Sequence, residues 1–233
     1  MMKKHYIMIG IAGIIVAVIV IIAGVSGSFQ PNTSADQSTI TSTSPEPESL
    51  QTILSKAEAI GSMYYEIYAT ITMPQYGAQT MTMKIWQEKP YLKEEITGQM
   101  AGITNTLVVI VRPEGTYVYN PTQGKYVLTT EVPSYVTSLQ YLDPKMIKDL
   151  LNNQTITDFE TEIIDGKKTT IIEYDLPLIG ENLMTIKIWI WNEKGVPLKA
   201  YFDMTMKEIT MTMDFVFSNY SFSDIPDSTF NIT

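Results

Sequence analysis

The chain has 233 residues, of which 25 are acidic and 16 basic, giving a formal net charge of −9 at neutral pH. It has no cysteine and a single histidine, His5, which excludes disulfides, thiol nucleophiles, and histidine-based acid–base or metal chemistry beyond the N-terminus. The acidic excess repels nucleic acid, so we predict a protein that is not an enzyme, needs no cofactor or metal and has no nucleic-acid partner.

An uncharged apolar run occupies residues 6–25 near the N-terminus. Twenty helical residues span about 30 Å, the thickness of the hydrocarbon core of a bilayer. Lys3 and Lys4 precede the run, and no Lys or Arg follows it until Lys56. Because positive charge stays on the cytoplasmic side, we predict a single-pass cell-membrane protein with residues 1–5 in the cytoplasm, a transmembrane helix at 6–25 and the remaining chain outside.

A cleaved signal peptide is the alternative interpretation of the same run. Small residues suited to a cleavage site occur at Ala23-Gly24-Val25-Ser26. The apolar part of a signal peptide normally has about 7–15 residues, so the length of this run favours a retained anchor.

Residues 26–48 are rich in Ser, Thr and Pro and poor in apolar side chains, a composition typical of a flexible linker. The following residues, 49–233, fit one domain in length. The domain opens with apolar residues at helical spacing, which predicts a short helix ending near Gly61. These residues are Leu50, Ile53, Leu54, Ala57 and Ile60.

Beyond the first helix the apolar period changes to two, which predicts half-buried β-strands. The predicted strands are 63–73, 80–88, 91–97, 103–111, 115–120, 125–130, 154–164, 168–175, 183–192, 197–206 and 208–217. The apolar spacing at 134–152 predicts a second helix. Turn signals at Asp165-Gly166 and Glu193-Lys194-Gly195 make the connections short, and short connections require antiparallel pairing.

The strand count bears on the shape of the domain. About ten or eleven strands at about 4.8 Å make a sheet roughly 50 Å wide, and two helices of about 10 Å diameter cannot cover its apolar face. We therefore predict an α+β fold, mainly antiparallel β, in which the sheet is strongly curved and closes on itself fully or nearly so, with a helix or two in its concave mouth.

A curved sheet of this kind either packs solid or encloses an apolar cavity, and many of the inward positions are methionine, which suits adaptable apolar sites. The residues predicted to line the cavity and contact a ligand are Ile53, Leu54, Tyr65, Ile67, Met81, Met83, Ile85, Met146, Leu150, Ile186, Ile188, Ile190, Phe202, Met204, Met211, Met213 and Phe215.

Four segments resemble, in the same order, segments of lipoprotein carriers of the LolA/LolB type. They are KPYLKEE at 89–95, VRPEGTYVYNP at 111–121, NEKGVPLK at 192–199 and FSDIPDSTF at 222–230. The resemblance implies a strongly curved, unclosed antiparallel half barrel, with helices covering its concave face and a hydrophobic cavity for acyl chains. The chain departs from the family at Lys93, where arginine is usual, and in having a protein anchor, so shuttling between membranes is not implied.

Other features suggest further roles. Trp86, Trp189 and Trp191 alternate with the apolar positions, so they either cover the outer face of the sheet by cross-strand packing or form a partner-binding surface. We interpret Glu94 and Glu95 as part of a solvated face. Sequons fit an exported glycoprotein, with candidate glycosylation sites at Asn32, Asn153, Asn219 and Asn231.

Together these features predict a membrane-anchored module that binds lipid or the acyl chains of a lipoprotein without catalysing a reaction. The alternative is a structural or sensory extracellular domain with a solid core, which would act through a protein partner of unknown identity.

Overall fold

The computed structural model of this chain describes residues 48–74, 77–100, 103–129, 159–177, 183–206 and 209–232. The predicted anchor at 6–25, nearly all of the linker, and the second helix at 134–152 with Met146 and Leu150 lie outside these residues. Among the residues described, no helix has the length and apolarity needed to cross a bilayer.

Eleven antiparallel strands form a single sheet in the described part of the chain. The strands are β1 (Ser62–Met73), β2 (Gly77–Glu88), β3 (Tyr91–Met100), β4 (Ile103–Arg112), β5 (Gly115–Asn120), β6 (Lys125–Thr129), β7 (Glu160–Ile164), β8 (Lys167–Pro177), β9 (Leu183–Trp191), β10 (Val196–Met206) and β11 (Ile209–Ser221). Each strand matches one that the sequence predicts, and the predicted antiparallel pairing is confirmed.

The sheet consists of two meanders that meet at its centre. Its order is β6-β5-β4-β3-β2-β1-β11-β10-β9-β8-β7, so β1 pairs with β11 and each half then follows the chain outward. In the residues described, β6 and β7 are the edges and the sheet does not close on itself. This agrees with the predicted unclosed sheet.

Strand ends differ from the prediction by a few residues. β2 begins at Gly77 rather than at 80, and β11 continues to Ser221 rather than ending at 217. The added residues pair in the ladder, as Ala78 does with Thr72 and Ser221 with Tyr64. Backbone pairing continues past the apolar pattern because it does not depend on side-chain burial.

The hairpin between β7 and β8 has the backbone that its sequence requires. Asp165 and Gly166 both have positive φ, 50° and 75°, as in the two-residue turns whose twist matches that of the flanking strands. This pairing brings Ile163 opposite Lys168.

A single α-helix, α1 (Leu50–Glu58), precedes the sheet in the described residues. Ser49 caps it by accepting a hydrogen bond from the Thr52 amide at 3.2 Å, and Leu50, Ile53 and Leu54 are buried. The helix ends at Glu58, before Gly61. The Ala59 amide donates to the Lys56 carbonyl at 3.2 Å and the Ile60 amide to the Ala57 carbonyl at 3.1 Å, and these bonds close its last turn.

The helix lies against the turn between β9 and β10. The Lys56 ammonium donates to the Asn192 carbonyl at 2.7 Å, and Gly195 approaches so closely that a Cβ there would lie 2.2 Å from the Ile53 carbonyl oxygen. The glycine at this position therefore allows α1 to pack on the sheet.

The sheet has one apolar face and one mixed face. The apolar face, defined here as the face of Ile67, Met83 and Ile186, joins the buried residues of α1 in one hydrophobic cluster. The opposite, outer face carries most of the Thr, Lys and acidic side chains of the strands.

Part of the outer face is covered by the C-terminal segment. After β11 the chain reaches a 3-10 helix at Asp227–Phe230. Ile225 and Phe230 form a second cluster with Ile110 of β4, against which Trp86 and Tyr91 pack. The C-terminal segment thereby fixes one meander, β2 to β4, from the outside.

Candidate functional site

All the predicted cavity residues that the structure describes belong to the hydrophobic cluster on the apolar face. Tyr65 and Met81 are partly buried and pack against it. The buried members are Ile53, Leu54, Ile67, Met83, Ile85, Ile186, Ile188, Ile190, Phe202, Met204, Met211, Met213 and Phe215. The structure therefore brings them together on one face, and their contact with a ligand stays a prediction.

Strand register explains why residues so distant in sequence meet. Residues directly opposite each other in adjacent strands point to the same face of a sheet. One such row crosses five strands from β1 to β8, and its members are Ile71, Met213, Phe202, Ile186 and Tyr174. A parallel row joins Met211, Met204 and Met184, so methionine occupies three adjacent strands at one level.

Glu94 is an acidic side chain on the apolar face. It stands in register with Ile85 on β2 and Val109 on β4, which are 2% and 0% exposed. Glu94 itself is 3% exposed, and its Oε2 atom has no hydrogen-bond partner. Burial raises the pKa of the Glu94 carboxyl to about 8, because an apolar environment disfavours the charged form.

The interpretation of Glu94 as part of a solvated face is therefore wrong. Its neighbour Glu95 does lie on the outer face, where it pairs with Lys93 at 3.0 Å. The sequence contains one indication of this burial. In β3, Leu92, Glu94 and Ile96 alternate with the outward-facing residues, so Glu94 has the position of an inward-facing residue.

Tyr174 contributes a second unpartnered polar atom to the apolar face. Its ring belongs to the main cluster, and its hydroxyl is buried without a hydrogen-bond partner. Burial raises the pKa of the Tyr174 hydroxyl, so the group stays protonated and can donate. Tyr174 lies on β8 and Glu94 on β3, in opposite halves of the sheet.

The three tryptophans lie on the outer face, as their phase predicts, and their rings have partners within the chain. Trp189 is 8% exposed; its indole nitrogen donates to a Glu162 carboxylate oxygen at 2.8 Å, and the ammonium groups of Lys187 and Lys199 lie over its ring. Such contacts stabilise the outer surface and reduce the area that a partner could reach at Trp189.

Trp86 and Trp191 are engaged in the same way. Lys93 lies 4.8 Å above the Trp86 ring, which also contacts Tyr64. Lys167 lies 5.3 Å above the Trp191 ring. The observed arrangement is the cross-strand packing that the sequence favours over a free aromatic patch.

Two of the candidate glycosylation sites lie in described residues. Asn219 and Asn231 are both exposed, whereas Asn32 and Asn153 fall outside the described ranges. The Asn219 amide nitrogen donates to a Glu66 carboxylate oxygen at 3.0 Å, so glycosylation there would have to break this bond.

A cleft of about 320 Å³ lies where α1 leads into β1. Residues 59–62 line it together with Glu88, Lys194, Phe222 and Asp224. Lys194 is paired with Glu193 and lies over the Phe222 ring, so the cleft has no uncommitted cation. No set of three or more acidic or histidine side chains in the described ranges could hold a metal ion.

The chain matches no family model and no curated protein. Among solved structures it is similar to a LolA superfamily protein from Nitrosomonas europaea, with 14% identity over 78% of this chain and 97% of that one and a TM-score of 0.38. It is also similar to LprF from Mycobacterium bovis, with 12% identity over 73% and 92% of the two chains and a TM-score of 0.38.

A third likeness is to a chain in the MucA/MucB complex of Pseudomonas aeruginosa. The identity is 10% and the TM-score 0.42. The match covers 78% of this chain and 60% of that one, so this chain spans less than two thirds of the length of that relative.

Proposed function

We propose that this protein binds acyl chains, of a lipid or a lipoprotein, on the apolar face of its sheet and does not catalyse a reaction. The observation that supports the proposal best is the continuous apolar cluster, which extends over six adjacent strands from β2 to β8. Each methylene group moved from water into such surroundings contributes about 0.8 kcal/mol, so an alkyl chain supplies enough area for tight binding.

The composition of the face favours ligands of varied shape. Met83, Met184, Met204, Met211 and Met213 are all buried there. Methionine side chains are flexible and polarisable, and they adapt to irregular apolar partners. We therefore propose weak discrimination among acyl chains of different length.

The N-terminal segment would keep this binding close to one membrane. If residues 6–25 remain as an anchor, the 23-residue linker at 26–48 has a root-mean-square span of roughly 25–30 Å. This reach fits local extraction, storage or presentation of a lipid at the membrane surface. It does not fit free movement between distant membranes.

An interaction domain with a solid core is the second candidate. It would use the outer face, where Tyr68 and Val216 stand opposite each other in the ladder and are 47% and 46% exposed. Because the tryptophan rings of that face are engaged within the chain, we favour the first candidate.

Lipid analysis distinguishes the two candidates. Residues 48–233 are expressed without the anchor, and a cooperative thermal transition in circular dichroism first establishes that the fragment is folded. We expect lipid in its organic extract by mass spectrometry, and uptake of a fluorescent acyl probe. A folded fragment that contains no lipid and takes up no probe would contradict the proposal.

A matched pair of variants localises the binding. Met81 is half-buried at the margin of the cluster, so Met81→Trp should occupy part of the site and lower probe uptake. Thr82→Trp places the same ring on the outer face and should leave uptake unchanged. Equal uptake by both variants would place the probe elsewhere.

A further inference from the structure

Glu94 is surrounded on its face of the sheet by apolar side chains. Ile85 and Val109 flank it across the ladder, and Leu92 and Ile96 precede and follow it at the same phase of β3. Among the strand residues described, it is the only carboxyl on this face, and its Oε2 has no partner.

This arrangement opposes folding in the absence of a ligand. A buried polar atom that loses its hydrogen bonds to water and gains no partner in the fold lowers stability. A leucine at this position would pack without that cost. The ionisable neighbours do not compensate it, because Lys93 and Glu95 point to the outer face and pair with each other. The position therefore favours a partner that arrives with the ligand.

We propose that Glu94 donates a hydrogen bond to the carbonyl oxygen of a bound acyl ester. This inference rests on the proposed binding of acyl chains to the apolar face. It assigns one polar contact to that site and selects acyl esters over plain alkyl chains. The ester carbonyl is an acceptor only, which complements a carboxylic acid that keeps its proton.

The charge state of the site supports an acceptor ligand over a cationic one. Burial raises the pKa of Glu94 to about 8, so at neutral pH most of the population carries the proton and can donate. The other titratable side chains that register places on this face, within the described strands, are Tyr65, Tyr174, Lys125 and Lys168. Tyr220 also packs against the cluster, and its hydroxyl donates to the Pro197 carbonyl. Lys125 and Lys168 are exposed near the sheet edges, so neither supplies a buried counter-charge.

Photo-crosslinking of the full chain in its host membranes tests the proposal. Three probes share a 16-carbon chain with a diazirine and an alkyne tag, and they end in a methyl ester, a plain methyl group or an amine. Labelling is measured after affinity purification for the native chain, Glu94→Gln, Glu94→Leu and Glu95→Gln. Ratios between probes within one variant cancel differences in expression.

We expect the native chain to prefer the ester over the plain alkyl probe by about three- to tenfold, the range of one hydrogen bond. Glu94→Gln keeps an N–H donor and should retain the preference. Glu94→Leu should lose the preference while still being labelled by the plain probe. Glu95→Gln changes the adjacent outward side chain and should behave like the native chain.

Several outcomes would overturn the proposal. An equal ester-to-alkyl ratio in the native chain and Glu94→Leu would show that Glu94 does not contact the carbonyl. A preference for the amine that Glu94→Gln abolishes would show that the group binds as a carboxylate to a cation. Absence of labelling of the native chain by all three probes would instead contradict acyl binding itself.

Discussion

Glu94 makes the stability of the domain dependent on pH. Its pKa rises from an ordinary 4.5 to about 8 on folding, so between these values the folded chain holds a proton that the unfolded chain has lost. The free energy of unfolding should therefore decrease as pH rises from about 4.5 to about 8 and change little above that. At about 1.4 kcal/mol per pKa unit, the total change is on the order of a few kcal/mol.

Urea titrations from pH 5 to pH 8.5 measure this dependence. Glu94→Gln should remove most of the slope because its amide does not titrate. Glu95→Gln, the outward neighbour, should retain the slope of the native chain. If the native chain and Glu94→Gln show the same slope, Glu94 is not the group that makes stability depend on pH.

Two tyrosines, Tyr174 of β8 and Tyr220 of β11, should respond in opposite ways to loss of the hydroxyl. The Tyr174 hydroxyl is buried without a partner, so Tyr174→Phe should increase the free energy of unfolding by about 1 kcal/mol. The Tyr220 hydroxyl donates to the Pro197 carbonyl at 2.5 Å, so Tyr220→Phe should decrease it by about 1–2 kcal/mol. Chemical denaturation of the ligand-free protein compares the two, and destabilisation of both to the same extent would contradict the difference in their bonding.

Docking of α1 on the sheet depends on the turn between β9 and β10. A Cβ at Gly195 would lie 2.2 Å from the Ile53 carbonyl oxygen and 3.0 Å from the Ala57 amide nitrogen, and both are backbone atoms that cannot turn away. Gly195→Ala should therefore lower the free energy of unfolding by well over the roughly 1–2 kcal/mol that positive φ alone costs.

Gly124→Ala is the matched control for this prediction. Gly124 has a similar φ of 63°, and nothing lies within 4 Å of its added Cβ. It should show only the cost of the backbone conformation. Equal urea midpoints for the two variants would mean that the close approach of α1 does not contribute.

The C-terminal segment should act as a structural part of the sheet. Phe230 is 3% exposed and stacks on Tyr91 at 5.5 Å between ring centroids. Phe230→Ala should cost about 3 kcal/mol of stability, as for other large-to-small changes of buried aromatic residues. Ile163→Ala, at a side chain that is 73% exposed, should change the melting temperature little, and equal losses for the two would contradict the packing.

At the scale of the whole molecule, the retained anchor and the cleaved signal peptide predict different mature chains. If residues 6–25 remain, intact-mass analysis of the chain isolated from host membranes should include them, and the protein should stay in the pellet after an alkaline carbonate wash. A mature chain that starts near Ser26 and is released by the wash would establish cleavage instead.

The strand pattern allowed most of the described fold to be predicted. Alternation such as Met81, Met83 and Ile85 between polar neighbours indicates both a strand and its buried face, because a strand has a side-chain period of two. Short turns such as Asp165-Gly166 then require antiparallel neighbours. The strand residues predicted from this phase to line the cavity, all of which the structure describes, do share one face.

The sequence by itself determined which residues form strands, which side of each strand is apolar and which chemistry is excluded, since these follow from residue type and local period. Only the tertiary structure decided what surrounds each position. Glu94 has the phase of a buried residue, but its environment became evident only when Ile85 and Val109, from two other strands, came to lie beside it. Desolvation depends on neighbours that are distant in sequence, so the apolar surroundings of Glu94 could not be predicted from its own strand. The pairing of β1 with β11 at the centre of the sheet joins the two ends of the domain, and it too became evident only in the fold.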